Sequence, residues 1–143
     1  MVKMDEVYYH GAYAVVVWHG RLLTLRKVRG PYKGMLDLPG GGIQAGETPL
    51  QALKRELQEE IGCTLSTVHH LGEKAHQTVY QQKLFHHQAS LYVVTLKEKR
   101  LDNIFSQDKA EASDLVWLPL KETESKEPIT FIVQAGIAYV KEG

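Results

Sequence analysis

The residues best equipped for chemistry are three glutamates that follow a glycine-rich turn. Glu56, Glu59 and Glu60 come shortly after Gly40-Gly41-Gly42-Ile43-Gln44-Ala45-Gly46-Glu47. On a helix, at about 100° of rotation per residue, the three carboxylates share one arc. Glu56 and Glu60 are one turn apart, so they are neighbours, and like charges at that spacing repel. Two arrangements would offset the repulsion. One is a solvated acidic face softened by Lys54 and Arg55. The other is a hard divalent cation held by clustered oxygens, as Mg²⁺ is when it keeps several waters and shares a substrate phosphate with one or two carboxylates.

The segment that must position these groups has the marks of a helix from Pro49 to Ile61. Thr48 is a suitable N-cap. Pro49 stands where a missing N–H has no partner to lose. Gly62 suits the left-handed position that ends a helix. Leu50, Leu53, Leu57 and Ile61 form a stripe that should face the core. The glutamates lie on a different arc.

This stretch resembles the signature of the Nudix (MutT-like) hydrolases. The matching positions are Gly41, Glu47, Arg55, Glu56, Leu57, Glu59, Glu60 and Gly62, and the signature ends at Cys63, where the family prefers an aliphatic residue. A buried cysteine behaves as a small hydrophobe. The resemblance implies a Nudix-type α/β/α sandwich with a mixed β-sheet, in one domain over residues 1–143. It implies Mg²⁺- or Mn²⁺-dependent hydrolysis of a nucleoside diphosphate linked to another moiety. By position, Glu56, Glu59 and Glu60 are the implied metal ligands, with the backbone carbonyl of Gly40. Arg55 is the implied organiser of the glutamates. Gly41, Glu47 and Gly62 are the implied frame of loop and helix. An acid beside a helix N-terminus is also favoured by the helix dipole, which accounts for Glu47 equally well.

Composition narrows the function classes. The chain has 143 residues, 43% hydrophobic and 24% charged, an ordinary balance for one globular domain. Lys plus Arg and Asp plus Glu are 17 each, so no global field favours nucleic acid or an acidic membrane. One cysteine rules out an internal disulfide and suits a reducing compartment. No run of about 18 apolar residues suggests a membrane span. Met1-Val2-Lys3-Met4-Asp5-Glu6 lacks the apolar core of a leader. These features lead us to expect a cytoplasmic protein, and the resemblance implies a monomer or homodimer acting on a small nucleotide.

The remaining elements follow from pattern. Tyr8 to Trp18 and Arg21 to Arg26 read as strands joined at His19-Gly20. Further strands are expected at Thr64 to Gly72, Ala75 to Gln82, Phe85 to Leu96 and Leu115 to Leu120. Asp102 to Asp114 should be a loop, and Pro128 to Glu142 an amphipathic helix. The family often has Trp where this chain has Leu36. Arg26, at the strand end in the basic patch Arg26-Lys27-Val28-Arg29-Gly30, is the preferred phosphate contact, since Arg binds phosphate oxygens bidentately. A solvated loop is the alternative. Tyr80 is a candidate substrate contact, because some relatives that cleave dinucleoside polyphosphates carry a tyrosine nearby. Glu111 is a candidate auxiliary ligand or base, with Asp108 and Asp114 as competitors. His69-His70 and His86-His87 do not read as chelates, because adjacent strand residues point to opposite faces. One member of each pair, with His76 and Tyr80, could line a base pocket. The leading substrate class is nucleoside triphosphates, including damaged ones. ADP-ribose or another nucleotide sugar, and dinucleoside polyphosphates, are the alternatives. A non-catalytic nucleotide sensor is the rival of another class, though sensors tend to lose glutamates that are all present here.

Overall fold

The computed structural model describes residues 3–121 and 127–142. Met1, Val2, residues 122–126 and Gly143, all part of the expected span, lie outside the described residues. The elements run β1 (Asp5–Val15), β2 (Val17–Trp18), β3 (Arg21–Lys27), β4 (Leu36–Asp37), β5 (Gly40–Gly42), α1 (Pro49–Ile61), β6 (Leu65–Tyr80), β7 (Lys83–Leu96), β8 (Ala112–Pro119) and α2 (Phe131–Glu142).

One sheet has the order β5-β1-β7-β6. Its centre is a parallel pairing of β1 with β7 from Asp5↔Lys83 to Val15↔Val93, and its other ladders are antiparallel. The second sheet places β3 among β2, β4 and β8, all antiparallel to it. The alternation of side chains along a strand decides which helix each residue meets. Ala12, Ala14 and Val16 join Leu23 and Leu25 in the core that α1 covers with Ala52, Leu53, Leu57 and Ile61. Tyr13 and Val15 join Leu22, Leu36 and Leu38 in the core that α2 covers with Ile132, Val133 and Ala135. The strands are therefore a filling between two helices, the α/β/α sandwich expected from the sequence.

Helix α1 has the expected boundaries and caps. The Thr48 hydroxyl accepts the Gln51 N–H, and the Gln51 side chain accepts the Thr48 N–H, a reciprocal capping box. Gly62 closes the helix at φ +66°. Leu53, Leu57 and Ile61 are buried, whereas Leu50 at the helix start is half-buried.

Several boundaries differ from the sequence reading, among them β3 ending at Lys27 and β7 beginning at Lys83. The two strands expected between Thr64 and Gln82 are one, β6, bent by a register shift between His70 and Gly72. Gly72 hides the bend, since a glycine reads as punctuation while a bulge lets the strand continue. The strand expected from Tyr8 to Trp18 begins at Asp5 and breaks at Val16, where β1 leaves one sheet and β2 enters the other. The last strand starts at Ala112, three residues before the apolar run. Helix α2 begins at Phe131, with the Thr130 hydroxyl accepting the Val133 N–H as its cap. Among the described residues no helix is long and apolar enough to cross a membrane.

Two loop glycines separate steric conflict from backbone strain. A Cβ on Gly40, at φ +139°, would lie 2.1 Å from the Ala12 carbonyl oxygen, in the backbone of β1. A Cβ on Gly46, at φ +83°, would meet nothing within 4 Å. Gly46→Ala should therefore cost about 1–2 kcal/mol, the left-handed penalty alone. Gly40→Ala should cost clearly more, because β1 or the loop must move. Urea denaturation of the two variants checks the order; equal losses would contradict it.

Candidate functional site

The glycine loop and α1 meet through Arg55. All five of its N–H donors are used. Nε and Nη2 clamp Glu47, at 2.8 Å to Oε2 and 2.9 Å to Oε1. The second Nη2 donor reaches the Gly42 carbonyl at 2.9 Å. Nη1 holds Glu56 Oε1 at 2.9 Å and Glu59 Oε2 at 3.3 Å. Glu47 also accepts the Gln44 N–H at 2.9 Å, and these hydrogen bonds hold its carboxyl down to about pKa 2. Such a bidentate, charge-assisted pair fixes both orientation and ionisation.

Glu60 is placed differently. It is only 5% exposed, and its Oε1 accepts the Gly40 N–H at 2.6 Å. Gly40 is free to donate because of its place in the ladder. Ala14 N–H bonds the Pro39 carbonyl and Ile43 N–H bonds the His10 carbonyl. The alternation of an antiparallel ladder then makes Tyr13↔Gly40 a non-hydrogen-bonded pair. The Gly40 N–H and carbonyl are both left out of the ladder, on the side where Glu60 stands. Gly41 gives the second close approach: a Cβ there would lie 2.8 Å from the Glu56 carboxylate.

Burial, first of all, raises the pKa of Glu60 well above the usual carboxylate range and raises that of Glu56; Glu60 is pushed further by the charge of Glu56. Asp37, 3% exposed, is raised by burial too, although Leu38 N–H and the Thr130 hydroxyl donate to it, each at 2.9 Å. Lys27 opposes all three through its field. This is a desolvated acidic centre whose charges are poorly matched within the chain.

That mismatch supplies the test of fit for a divalent cation. The donor set is all oxygen: the Glu56 and Glu60 carboxylates and the Gly40 carbonyl. Hard cations such as Mg²⁺ and Mn²⁺ take such donors. The missing side chain of Gly41 leaves the carboxylate of Glu56 accessible at the loop. The residues fit the cation in type and burial. They do not form a ready cage, since among the described residues no group of three His, Cys, Asp or Glu side chains is set to hold a metal ion. Glu59, 54% exposed, turns to Arg55.

Beside the acidic centre lies a cavity of about 290 Å³ lined by Tyr9, Tyr13, Lys27, Tyr32, Asp37, Phe85, His87 and Glu111, among others. Glu111 stands on it, with its Oε1 3.9 Å from Arg29 Nη1. Its backbone is anchored as well: Val28 N–H donates to its carbonyl, and its own N–H donates to Asp108. Arg26 is engaged elsewhere, by Glu127 at 3.1 Å, Asp114 at 3.5 Å and the Gly34 carbonyl at 3.2 Å. Its strand neighbours alternate faces, and Lys27 and Arg29 are the basic side chains that line the cavity. Tyr80 packs edge-on to Phe85 at 6.0 Å, one ring removed from the cavity. His76 stacks on Phe131 at 4.9 Å. Sequence reasoning missed Tyr9, Tyr13, Tyr32 and Asp37, and preferred Arg26 within the run that holds Lys27 and Arg29. The alternation along β1 and β3 carried a signal for some of them, but nothing local placed Tyr32 against His87.

His87 links the walls. It is 6% exposed, and burial lowers its pKa to about 4. The unfolded value is about 6.5, so between these limits the unfolded chain binds more protons than the folded one. Folding stability should fall as pH drops from about 6.5 to about 4, by up to about 3 kcal/mol from this group. His87→Gln should flatten that limb of the stability profile; an unchanged slope in urea melts across this range would refute the assignment. Arg55→Lys should lose the paired grip on Glu47, with a loss of stability above about 1 kcal/mol readable in the same melts. Full stability in the lysine variant would show that the fork geometry does not matter.

The comparisons agree with this architecture. The model of the NUDIX domain matches residues 8–134. An ADP-ribose pyrophosphatase of Methanocaldococcus jannaschii is 36% identical over 64 residues, 43% of this chain and 38% of the relative. An oxidized purine nucleoside triphosphate hydrolase of Danio rerio is 47% identical over 58 residues, 41% of this chain and 37% of the relative. The chain thus spans little more than a third of either relative's length. A solved MutT NUDIX hydrolase from Burkholderia pseudomallei superposes with a TM-score of 0.79 at 24% identity, covering 94% of this chain and 98% of that one. A Francisella tularensis bifunctional NMN adenylyltransferase/ADP ribose pyrophosphatase, solved with AMP and a Mn ion, gives 0.67 at 22% identity, covering 95% and 42%. A glycine loop locked to a glutamate helix by one arginine, in a sandwich of this topology and with a matching domain model over most of its length, places the chain in the Nudix family.

Proposed function

We propose that the chain is a divalent-metal-dependent pyrophosphohydrolase acting on nucleoside triphosphates, oxidised ones included. The observation that carries this reading is the juxtaposition of the acidic centre with an aromatic-walled cavity. Glu56 and Glu60 stand desolvated at the glycine loop, and the rings of Tyr9, Tyr32 and Phe85 line the cavity next to them. Carboxylates of this kind suit a cation, and a cation suits a pyrophosphate. The aromatic walls suit a base.

Glu56, Glu60 and the Gly40 carbonyl would hold Mg²⁺ or Mn²⁺, with Glu59 available after a side-chain turn away from Arg55. Bound there, the ion would neutralise phosphate charge and lower the pKa of a coordinated water. The chain's own residues do the rest. Arg55 aims Glu56 and opposes the burial that raises its pKa. Gly40 fixes Glu60 through its N–H. Lys27, on the cavity wall, offers a positive charge to phosphate oxygens. Glu111, on the cavity wall, is the carboxylate we assign to take a proton from the attacking water. Positioning and charge stabilisation are the main terms in phosphoryl transfer. A second reading, hydrolysis of ADP-ribose or a dinucleoside polyphosphate, is favoured by one observation. An open groove of about 700 Å³, sharing Tyr9 and His87 with the cavity, would house a second moiety.

Glu60→Gln should keep the fold and lower kcat by orders of magnitude. Near-normal turnover would remove Glu60 from the ligand set. The variant should also read out metal binding without activity. Because the folded-state pKa of Glu60 is raised, its charge destabilises the metal-free fold as pH rises through the ordinary carboxylate range towards the folded value. With chelator at pH 8 the glutamine variant should melt no lower than wild type, and added Mg²⁺ should raise its Tm less. Glu111→Gln should reduce the rate by about 10²-fold if it serves as base; an unchanged rate would make it a loop residue. A nucleotide panel in ¹⁸O-labelled water would name the substrate and the phosphorus attacked. Binding without turnover at any metal level would favour a sensor.

A further inference from the structure

We propose that Tyr32 reads the base in the aromatic cavity, and that a Tyr13–His87–Tyr32 hydrogen-bonded chain can reverse its direction, so that one cavity accepts both carbonyl-bearing and amino-bearing purines. The inference rests on the reading above, that the cavity takes the base of a nucleotide.

His87 Nε2 lies 2.9 Å from the Tyr13 hydroxyl, and Nδ1 lies 2.9 Å from the Tyr32 hydroxyl. A neutral imidazole has one N–H donor and one bare acceptor nitrogen. Burial keeps this imidazole neutral at physiological pH. The chain therefore has two directions and no third. In one, Tyr13 donates to Nε2 and Nδ1–H donates to Tyr32, leaving the Tyr32 proton free for a ligand acceptor such as a base carbonyl. In the other, Nε2–H donates to Tyr13 and Tyr32 donates to Nδ1, leaving a Tyr32 lone pair free for a ligand donor such as an exocyclic amine. The change moves one proton from Nδ1 to Nε2 and rotates two hydroxyls. Net charge is constant and no heavy atom shifts.

The surroundings favour proton movement over ring movement. Tyr9 packs edge-on to His87 at 4.9 Å and Phe131 at 5.2 Å, which holds the ring plane. Tyr13 is 3% exposed, and a Cβ at Gly11 would already lie 2.5 Å from its hydroxyl oxygen, so that end is fixed. Tyr32 is half-buried and lines the cavity, so its hydroxyl is the end that a ligand can meet. Guanine and adenine present inverted donor and acceptor patterns on the same edge. A reversible partner serves both, where a fixed one rejects one of them.

Two measurements decide it. In steady-state kinetics with GTP and ATP, Tyr32→Phe should raise KM for both by about tenfold with kcat within about twofold. His87→Gln in the Tyr32→Phe background should add nothing further, because His87 acts through Tyr32. An unchanged KM in Tyr32→Phe, or additive effects in the double variant, would overturn the proposal. In the second experiment, ¹⁵N-histidine-labelled wild-type protein is titrated with GMP and with AMP. The ¹⁵N shifts of the His87 ring should show Nδ1–H with one and Nε2–H with the other. The same tautomer with both, or no response at His87, would overturn it. The second experiment reads binding alone. A protein that turns over no nucleotide but switches tautomer would fail as the proposed hydrolase and still support this inference.

Discussion

The structure depends on the five-donor saturation of Arg55. One guanidinium ties the glycine loop through Gly42, the loop's far end through Glu47, and two glutamates of its own helix. Without it, the acids crowded at the loop and along α1 would repel. With it, Glu47 is satisfied and Glu56 is partly compensated, while among the described residues Glu60 has only a backbone partner in hydrogen-bonding range. The chain therefore divides its acids into two sets. One set is balanced by arginine and builds the loop. The other, Glu60 with Asp37, is buried and under-compensated. That division is electrostatic, and it explains why a helix with a repulsive edge is stable.

The sandwich makes the division possible. Small residues of β1, Ala12 and Ala14, let α1 approach the sheet closely enough to bury Glu60 along with Leu53 and Leu57. The residue between them, Tyr13, points to the other side and enters the cavity wall. A single strand thus supplies the floor under the acidic helix and a wall of the neighbouring cavity. Asp37 extends the link. Its bond to the Thr130 hydroxyl ties β4 to the start of α2, so both helices are anchored within reach of the same site.

Much of this was legible in the chain. The caps at Thr48 and Gly62, the proline at Pro49 and the leucine stripe fix α1 by local rules, and the spacing of Arg55 to Glu60 needs only the helical period. The signature residues carried the family. Less legible was whatever depends on distant contacts. Arg26, at the strand end, was preferred within the basic run; the structure gives Arg26 to Asp114 and Glu127, and sets Lys27 and Arg29 on the cavity. The Tyr13–His87–Tyr32 chain joins three segments that share no local pattern. A turn at Gln81-Gln82-Lys83 was expected and the chain turns at Gln81-Gln82, although both adopt positive φ, at +50° and +64°, where asparagine and glycine are usual.

The parallel pairing of β1 with β7 has a consequence in time. Parallel neighbours cannot be joined by a tight hairpin, and here the ladder closes residue 5 on residue 83 and residue 15 on residue 93. The loop-closure entropy is lost before its contacts are gained, which slows such topologies. Tyr9 and Tyr13 leave the ribosome well before His87 does. The arginine-locked loop and helix, by contrast, are local and can assemble early. A nascent chain would thus hold the acidic centre before it holds the cavity, and its ability to choose among ligands would be the last property to mature.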